Sequence, residues 1–413
     1  MTRRRVVVTG LGVVSPVGNN VTDTWRGVCD GRSGIAAIER FDVSAFSTRF
    51  GGEIRNFDIE QYLEPKEARK CDPFIHFGIA AAEQAIADAG LEDGKLDRNR
   101  IGVAMGSGIG GILTIEANYE RLAESGPRKI SPFFVPATII NMISGHVSIR
   151  HGFCGPNIAI VTACTTSTHC IGLAARMIQT GDADLMLAGG AEHAITPLGL
   201  GGFCAARALS TRNDDPAGAS RPFDRDRDGF VLSDGAACMA IEELEHAKAR
   251  GARIYAEFAG FGMSADAHHI TAPAESGEGA YRCMANAIAD AGIPAETIGY
   301  VNAHGTSTPL GDVAESTAIK RAFGDHARAL LVSSTKSTTG HMIGAAGGAE
   351  AIFTVLALVH GIVPPTINIE NQDPACDLDC TPNAARELTL EAALSNSFGF
   401  GGTNGTVVFK RFD

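Results

Sequence analysis

Gln84-Ala-Ile-Ala-Asp-Ala-Gly-Leu91 recurs 202 residues later as Asn286-Ala-Ile-Ala-Asp-Ala-Gly-Ile293, with six of eight positions identical. Each copy reads as a helix end closed by glycine. Each is followed by a strand opening Ile-Gly, at Ile101-Gly102 and Ile298-Gly299, and preceded by an apolar run, Val6–Leu11 or Glu257–Phe261. A repeat that carries its flanking elements with it implies duplication. The expected architecture is two similar halves, 1–253 and 254–413, closing on one core within a single unit spanning 3–411.

Working outward, short β-branched runs alternate with helical patterns, which indicates an α/β fold with buried strands between helices. Strands are expected at Arg5–Thr9, Ile101–Gly106, Ile158–Thr162, Asp184–Ala188, Ala237–Glu242, Ile254–Gly260, Gly299–Asn302, Ala329–Ser333, Ala392–Asn396 and Thr406–Lys410. Helices are expected at Asp72–Ala89, Thr165–Thr180, Gly277–Ala291, Ala314–Ala322 and Gly344–His360. No Pro- or Ser-rich linker divides the chain.

The composition fits this reading. At about 150 residues per domain, 413 residues make two to three domain lengths. Hydrophobic residues at 45 % and charged residues at 20 % exclude a disordered chain. Glycine, 49 of 413, stands well above the usual ~7 % and marks tight turns and close backbone approaches. A net charge of −12 argues against nucleic acid as a partner. The ten cysteines are scattered through apolar runs, as free thiols of a reducing cytoplasm are. Cys376-x-x-x-Cys380 lacks the second ligand pair a zinc site needs. The basic head Arg3-Arg4-Arg5 and the run after it mimic a signal peptide, but Thr9, Gly10 and Gly12 interrupt the run and no small-x-small cleavage site follows; a buried first strand is expected. The most apolar helix, around Ala345–Val359, carries Glu350 and is too short to span a bilayer.

Three motifs are misleading. Gly106-Ser-Gly-Ile-Gly-Gly111 fits G-x-G-x-x-G, yet no acidic strand end follows some twenty residues on. Asp224-x-Asp226-x-Asp228-Gly229 opens like a calcium loop, but Gly235 stands where the closing Glu belongs. Ser333-x-x-Lys336 lacks the companion motifs of Ser-Lys hydrolases.

Three segments that each end a strand carry the chemistry. In Ile160-Val-Thr-Ala-Cys164-Thr-Thr-Ser167, the cysteine meets the unpaired N–H groups and positive end of the following helix. That placement is expected to lower the thiol pKa and to hold an oxyanion. Val301-Asn-Ala-His304-Gly-Thr306-Ser-Thr308-Pro-Leu-Gly-Asp312 and Val332-Ser-Ser-Thr-Lys336-Ser-Thr-Thr-Gly-His341 each set a histidine in a Gly/Thr-rich turn. Two such histidines with one cysteine at a strand-to-helix turn point to nucleophilic catalysis.

These segments resemble the β-ketoacyl-acyl carrier protein synthases, condensing enzymes of the thiolase-fold superfamily, and are most like the type II synthases of bacterial fatty acid synthesis. The resemblance runs from Val6-Val-Val-Thr-Gly-Leu-Gly12 to Asn396-Ser-Phe-Gly-Phe-Gly-Gly-Thr-Asn404. It includes Gly106–Gly111, Arg128-Lys-Ile-Ser-Pro-Phe-Phe134 and Arg221-Pro-Phe-Asp-Arg-Asp-Arg-Asp-Gly-Phe230. It implies a five-layered αβαβα fold of two pseudo-equivalent halves, a homodimer, no required cofactor and decarboxylative Claisen condensation of acyl- and malonyl-carriers. By this resemblance Cys164 is the nucleophile, and His304 and His341 stabilise the decarboxylating donor. Lys336, with Glu350 as counter-charge, keeps the second histidine neutral. Cys164 and Phe400 supply oxyanion N–H groups, and Phe400 is also a gate. Thr306 and Thr308 bind the phosphopantetheine arm, and Ile109 and Phe203 line the acyl pocket. Asn302, Glu350, Ser395 and Asn396 match a structural cation site. An acidic acyl carrier protein would dock on Lys66, Arg69 and Lys70, one face of a helical turn, with Arg128, Lys129 and Arg207. The competing readings are a polyketide-type ketosynthase and a non-catalytic carrier-binding subunit; the intact cysteine argues against the second.

Overall fold

The structure, a computed structural model, describes residues 3–92 and 96–412; the outermost positions of the expected halves, 1, 2 and 413, lie outside them. Ten strands form the main sheet. The first half contributes β1 (Val6–Val14), β2 (Ile101–Gly106), β3 (Asn157–Ile158), β4 (Leu185–Glu192) and β5 (Gly235–Glu243). The second contributes β6 (Ala256–Ala265), β7 (Ile298–Asn302), β8 (Leu331–Ser333), β9 (Ala392–Gly399) and β10 (Thr403–Arg411). Their order is β8-β7-β9-β10-β6-β1-β5-β4-β2-β3. Outward from the β6–β1 seam, each half runs first, fifth, fourth, second, third strand. The pairings match as well: two antiparallel, then two parallel, in both directions.

The helices α1 (Pro73–Asp88) and α3 (Glu278–Ala291) each cover the outer face of one half-sheet. Between the half-sheets lie α2 (Thr166–Thr180) and α5 (Ala346–His360), packed on each other and on strands of both halves. The result is a thiolase-like stack of five layers.

The repeated octapeptide is the docking face of α1 and α3. The register of β1 slips between Val8 and Gly10, and that of β10 against β6 slips beside Phe258 and Gly260. Beside each slip a backbone N–H turns to the helix: Leu11 donates to Asp88 Oδ2 and Phe261 to Asp290 Oδ2, both at 2.9 Å. The helices come so close that a Cβ on Gly12 would lie 1.9 Å from Ala81 O, and one on Gly262 2.1 Å from Cys283 O. The aspartates and the strand glycines therefore form one device, built twice.

The signal-peptide-like run is β1, buried along its whole length. The apolar stretch Ile343–His360 is longer than expected, 18 residues, and so long and apolar enough to cross a membrane, but 89 % of it is buried in this protein's core. Of the strand expected at 158–162 only Ile158 pairs, in the two-residue strand Asn157–Ile158, and the Thr162 N–H goes to the Thr166 hydroxyl instead of a neighbouring strand. Helix α4 (Pro309–Phe323) starts a turn before the expected Ala314. The two sheet edges differ. Val332 on β8 is covered by 379–381 through the Asp379 carbonyl and the Thr381 hydroxyl, whereas among the described residues no strand pairs with the outer edge of β3.

Candidate active site

The chain leaves β3, bends at Ala163 with φ of 50°, and enters α2 through the short turn Ala163–Thr165 that holds Cys164. This bend is fixed by α2 and the β9–β10 strands: Thr165 Oγ1 donates to Thr403 O, and the His169 ring bridges Thr162 Oγ1 and Asn404 O. Cys164 lines a cavity of about 690 Å³ together with His304, His341, Phe400, Thr306, Thr308, Ile109, Phe203 and Arg207.

Burial pushes the Cys164 thiol up to about 11, while the backbone N–H groups of Phe400 and Cys164 and the positive charge of Lys336 pull the other way. The expected depression of the thiol is therefore overturned: at this depth, loss of solvent outweighs the helix end. The two N–H groups aimed at the sulfur nonetheless form a ready pair of donors for an oxyanion on a carbonyl joined to it.

The histidines come from the second half. His304 follows β7, and its N–H and that of Gly305 donate to the Glu315 carboxylate on α4 at 2.9 and 2.8 Å. His341 is pinned to the segment before β5, donating its N–H to Val231 O and accepting from Ser233 N–H. The two rings meet edge-on, with centroids 5.4 Å apart. Both are held well below the ordinary histidine range by burial, with Lys336 adding repulsion, so both are neutral. His304 Nδ1 and both ring nitrogens of His341 have no protein partner, leaving them free for a ligand. Lys336 Nζ lies 2.5 Å from Glu350 Oε1 with both side chains buried.

Glu315 escaped the sequence reading, as did Glu192. Fully buried, Glu192 accepts from Ser107 Oγ and from the N–H groups of Gly108, Ile109 and Gly344. Its signal was a lone charge ending an apolar strand. This carboxylate also occupies the N–H groups of Gly108 and Ile109 in the glycine loop 106–111, while that of Gly110 goes to Ser107 Oγ. The other misleading motifs resolve likewise. Asp224 is consumed by Arg221 and three backbone N–H groups, and Ser333 bonds Tyr300 rather than Lys336.

Asn302 and Ser395 are register partners on β7 and β9. Asn302 Oδ1, Ser395 Oγ and Glu350 Oε2 are all buried without a hydrogen-bond partner. Hard oxygen donors of this kind fit a cation. The Asn396 side chain does not join them: its Oδ1 accepts from Thr406 and its Nδ2 donates to Glu315.

Lys66 and Arg69 are exposed on the turn around Pro65–Ala68. Lys70 pairs with Glu67 at 2.6 Å and its ammonium lies over the Phe133 ring, which brings this turn beside the loop carrying Arg128 and Lys129. Arg207 stands at the cavity mouth.

Comparison with known proteins agrees with this geometry. The family model described as "Beta-ketoacyl synthase, N-terminal domain" matches residues 3–247, and "Beta-ketoacyl synthase, C-terminal domain" matches 255–370. The chain is 60 % identical, over the full length of both proteins, to a 3-oxoacyl-[acyl-carrier-protein] synthase 2 of Vibrio cholerae. It is 52 % identical, over 99 % of each, to the protein of that name in Synechocystis. Among solved structures, a beta-ketoacyl synthase from Burkholderia phymatum matches with a TM-score of 0.92 at 36 % identity, covering 99 % of this chain and all of that one. A type II polyketide ketosynthase in complex with its acyl-carrier protein matches with a TM-score of 0.93 at 35 % identity, over all of both chains. The chain belongs to the beta-ketoacyl synthase family of condensing acyltransferases.

Proposed function

We propose that this enzyme joins an acyl-carrier and a malonyl-carrier into a 3-oxoacyl-carrier and CO₂ through an acyl-Cys164 intermediate, in cytoplasmic fatty acid elongation. The observation that carries the reading is one cavity holding a cysteine with two N–H groups on its sulfur and two neutral, unpartnered histidines. In the first half-reaction Cys164 sulfur attacks the carrier thioester. The thiol proton ends on the departing pantetheine sulfur, and the N–H groups of Cys164 and Phe400 hold the oxyanion. In the second, malonyl-carrier loses CO₂ while its thioester oxygen, gaining charge, accepts hydrogen bonds from His304 and His341. The carbanion attacks the acyl-Cys164 carbonyl, and collapse expels the thiolate, which regains a proton. Burial and the charge of Lys336, whose counter-charge is Glu350, keep the histidines neutral, since an imidazolium would hand its proton to the carbanion and quench it. Phe400, 37 % exposed between the glycine-rich ends of the β9–β10 turn, gates Cys164. Thr306 and Thr308 grip the pantetheine arm, and Ile109 and Phe203 line the acyl pocket.

The test is incubation with labelled acyl-carrier followed by mass spectrometry. Wild type should carry the acyl group on the Cys164 peptide and release 3-oxoacyl-carrier when malonyl-carrier is added. An acyl group retained on Cys164→Ala would overturn the assignment.

Three further assignments belong to this reading. The acyl carrier docks on Lys66, Arg69, Lys70, Arg128, Lys129 and Arg207; reversing the first three charges should raise KM for carrier substrates about tenfold and leave a small pantetheine thioester unaffected. Two chains pair through the open edge of β3, where Phe133, Val135, Ile139, Ile149 and Val161 are exposed; Val161→Glu should give a monomer by ultracentrifugation. A structural cation sits on Asn302, Ser395 and Glu350; a rise in Tm with Na⁺, K⁺, Mg²⁺ or Ca²⁺ that Ser395→Ala removes would support it. All ten cysteines are free, which suits a reducing compartment.

A further inference from the structure

The segment Arg221–Phe230 has so far no role, though it is among the most charged stretches buried in the molecule. The Arg227 side chain is 3 % exposed. Its guanidinium donates from Nε to Thr308 O at 3.1 Å and from Nη2 to Pro309 O at 2.8 Å. Nη1 donates to Asp224 O at 2.6 Å and to Asp373 Oδ2 at 2.8 Å. Two neighbours on the same segment hold the residue just before: Gly229 N–H donates to Ser307 O at 3.1 Å, and Arg221 N–H to Ser307 Oγ at 3.0 Å. Three successive carbonyls, of Ser307, Thr308 and Pro309, are thus received by one segment. Ser307 needs such a grip, because its φ of 69° lies in a region that non-glycine residues rarely adopt.

We propose that Arg227 is a positioning residue for the substrate tunnel, fixing the peptide planes that aim the hydroxyls of Thr306 and Thr308 into the cavity. Those hydroxyls lie 3.1 Å apart and both residues line the cavity, whereas Arg227 lies behind them and touches no part of it. A planar guanidinium can serve two adjacent carbonyls and a carboxylate together; an ammonium cannot reach all three. The proposal rests on the reading that Thr306 and Thr308 grip the pantetheine arm.

The experiment measures acylation of Cys164 by an acyl-pantetheine thioester and by the S-ethyl thioester of the same acyl group, which has no arm to grip. Alkylation of Cys164 by iodoacetamide reports on the nucleophile itself. Arg227→Lys should raise KM for the pantetheine thioester about tenfold, with kcat changed less than about twofold, the scale of lost charge-assisted hydrogen bonds. The S-ethyl reaction and the alkylation should keep wild-type rates. The double variant Thr306→Val/Thr308→Val should show the same selective loss, and adding Arg227→Lys to it should cost little more, because both act on one contact. If the threonine variant raises KM and Arg227→Lys does not, Arg227 has no positioning role. Equal losses on both thioesters overturn the proposal in favour of general support of the fold. If the threonine variant itself leaves KM unchanged, the reading of the threonines fails and the role of Arg227 falls with it. Should Arg227→Lys not fold, Asp373→Ala removes one partner at the solvent side; it should shift KM in the same direction by about threefold, and an unchanged KM overturns the proposal.

Discussion

Two turns stand at equivalent places in the two halves. Ala163–Thr165 leads into α2 and Ile343–Ala345 into α5, and each begins with a non-glycine residue at positive φ, 50° at Ala163 and 45° at Ile343. Each feeds the positive end of a 15-residue central helix. The first presents Cys164 to the cavity. The second has Gly344 in the matching position, with its N–H donated to Glu192 Oε2 at 2.9 Å and its carbonyl accepting from Ser167 Oγ. The same backbone thus serves opposite ends: one helix start is open to substrate, and the other is closed by the protein's own carboxylate. The scaffold is built twice, but the cavity is assembled across the seam. Cys164 comes from the first half, and the histidines and Phe400 come from the second.

If that division of labour is right, the halves should separate kinetically. His304→Ala and His341→Ala should each lower malonyl CO₂ release by about 10²–10³, the usual loss of an oxyanion donor. Acyl loading of Cys164 should remain measurable by mass spectrometry. A variant that decarboxylates normally breaks the division.

The open turn can also be tested through its proton. With the thiol pushed up to about 11 by burial, the thiolate fraction is small at neutral pH and grows about tenfold per pH unit. Iodoacetamide alkylation of Cys164 should therefore rise about 100-fold from pH 7 to pH 9. A profile that levels off below pH 9 would mean that the helix end, the Phe400 N–H and Lys336 together outweigh burial.

The sequence revealed the pieces of this comparison unevenly. The octapeptide repeat was legible because one device, an aspartate on a helix and glycines in a strand, was retained in both copies. The turn at Ile343 was not, since Gly344 lacks any side chain to flag it and no residue around it matches the first turn. Cys164, His304 and His341 could be found because each follows a strand in a distinctive turn. The partners that position them, Glu192 and Glu315, reach across from elements distant in sequence, and no local pattern announces such a contact. The helices Ile112–Ser125, Met142–His151 and Pro197–Ala205 also went unseen. They leave large apolar residues such as Tyr119, Ile149 and Leu198 exposed, which blurs the periodicity that marks a buried face.

The sharpest contrast between the turns should come from placing an alanine in each, and the smallest effect on the reaction from the alanine in the second. Cys164→Ala shortens a side chain that faces a cavity, so it removes activity while changing stability by less than about 1 kcal/mol. Gly344→Ala does the opposite. Its Cβ would lie 2.4 Å from Gly108 N and 2.7 Å from Glu192 Oε2. It must therefore push apart the glycine loop and the carboxylate that binds both segments. Overpacking of this kind costs about 1–3 kcal/mol, read as a shift in the denaturant midpoint. His341, three residues earlier, is held by its own backbone bonds to Val231 and Ser233, so the folded variant should condense substrates within about threefold of wild type. A Gly344→Ala protein as stable as wild type would show that the second turn has slack. A stable protein that could no longer decarboxylate would show that the closed turn tunes His341, and the contrast between an active and a structural copy would fail.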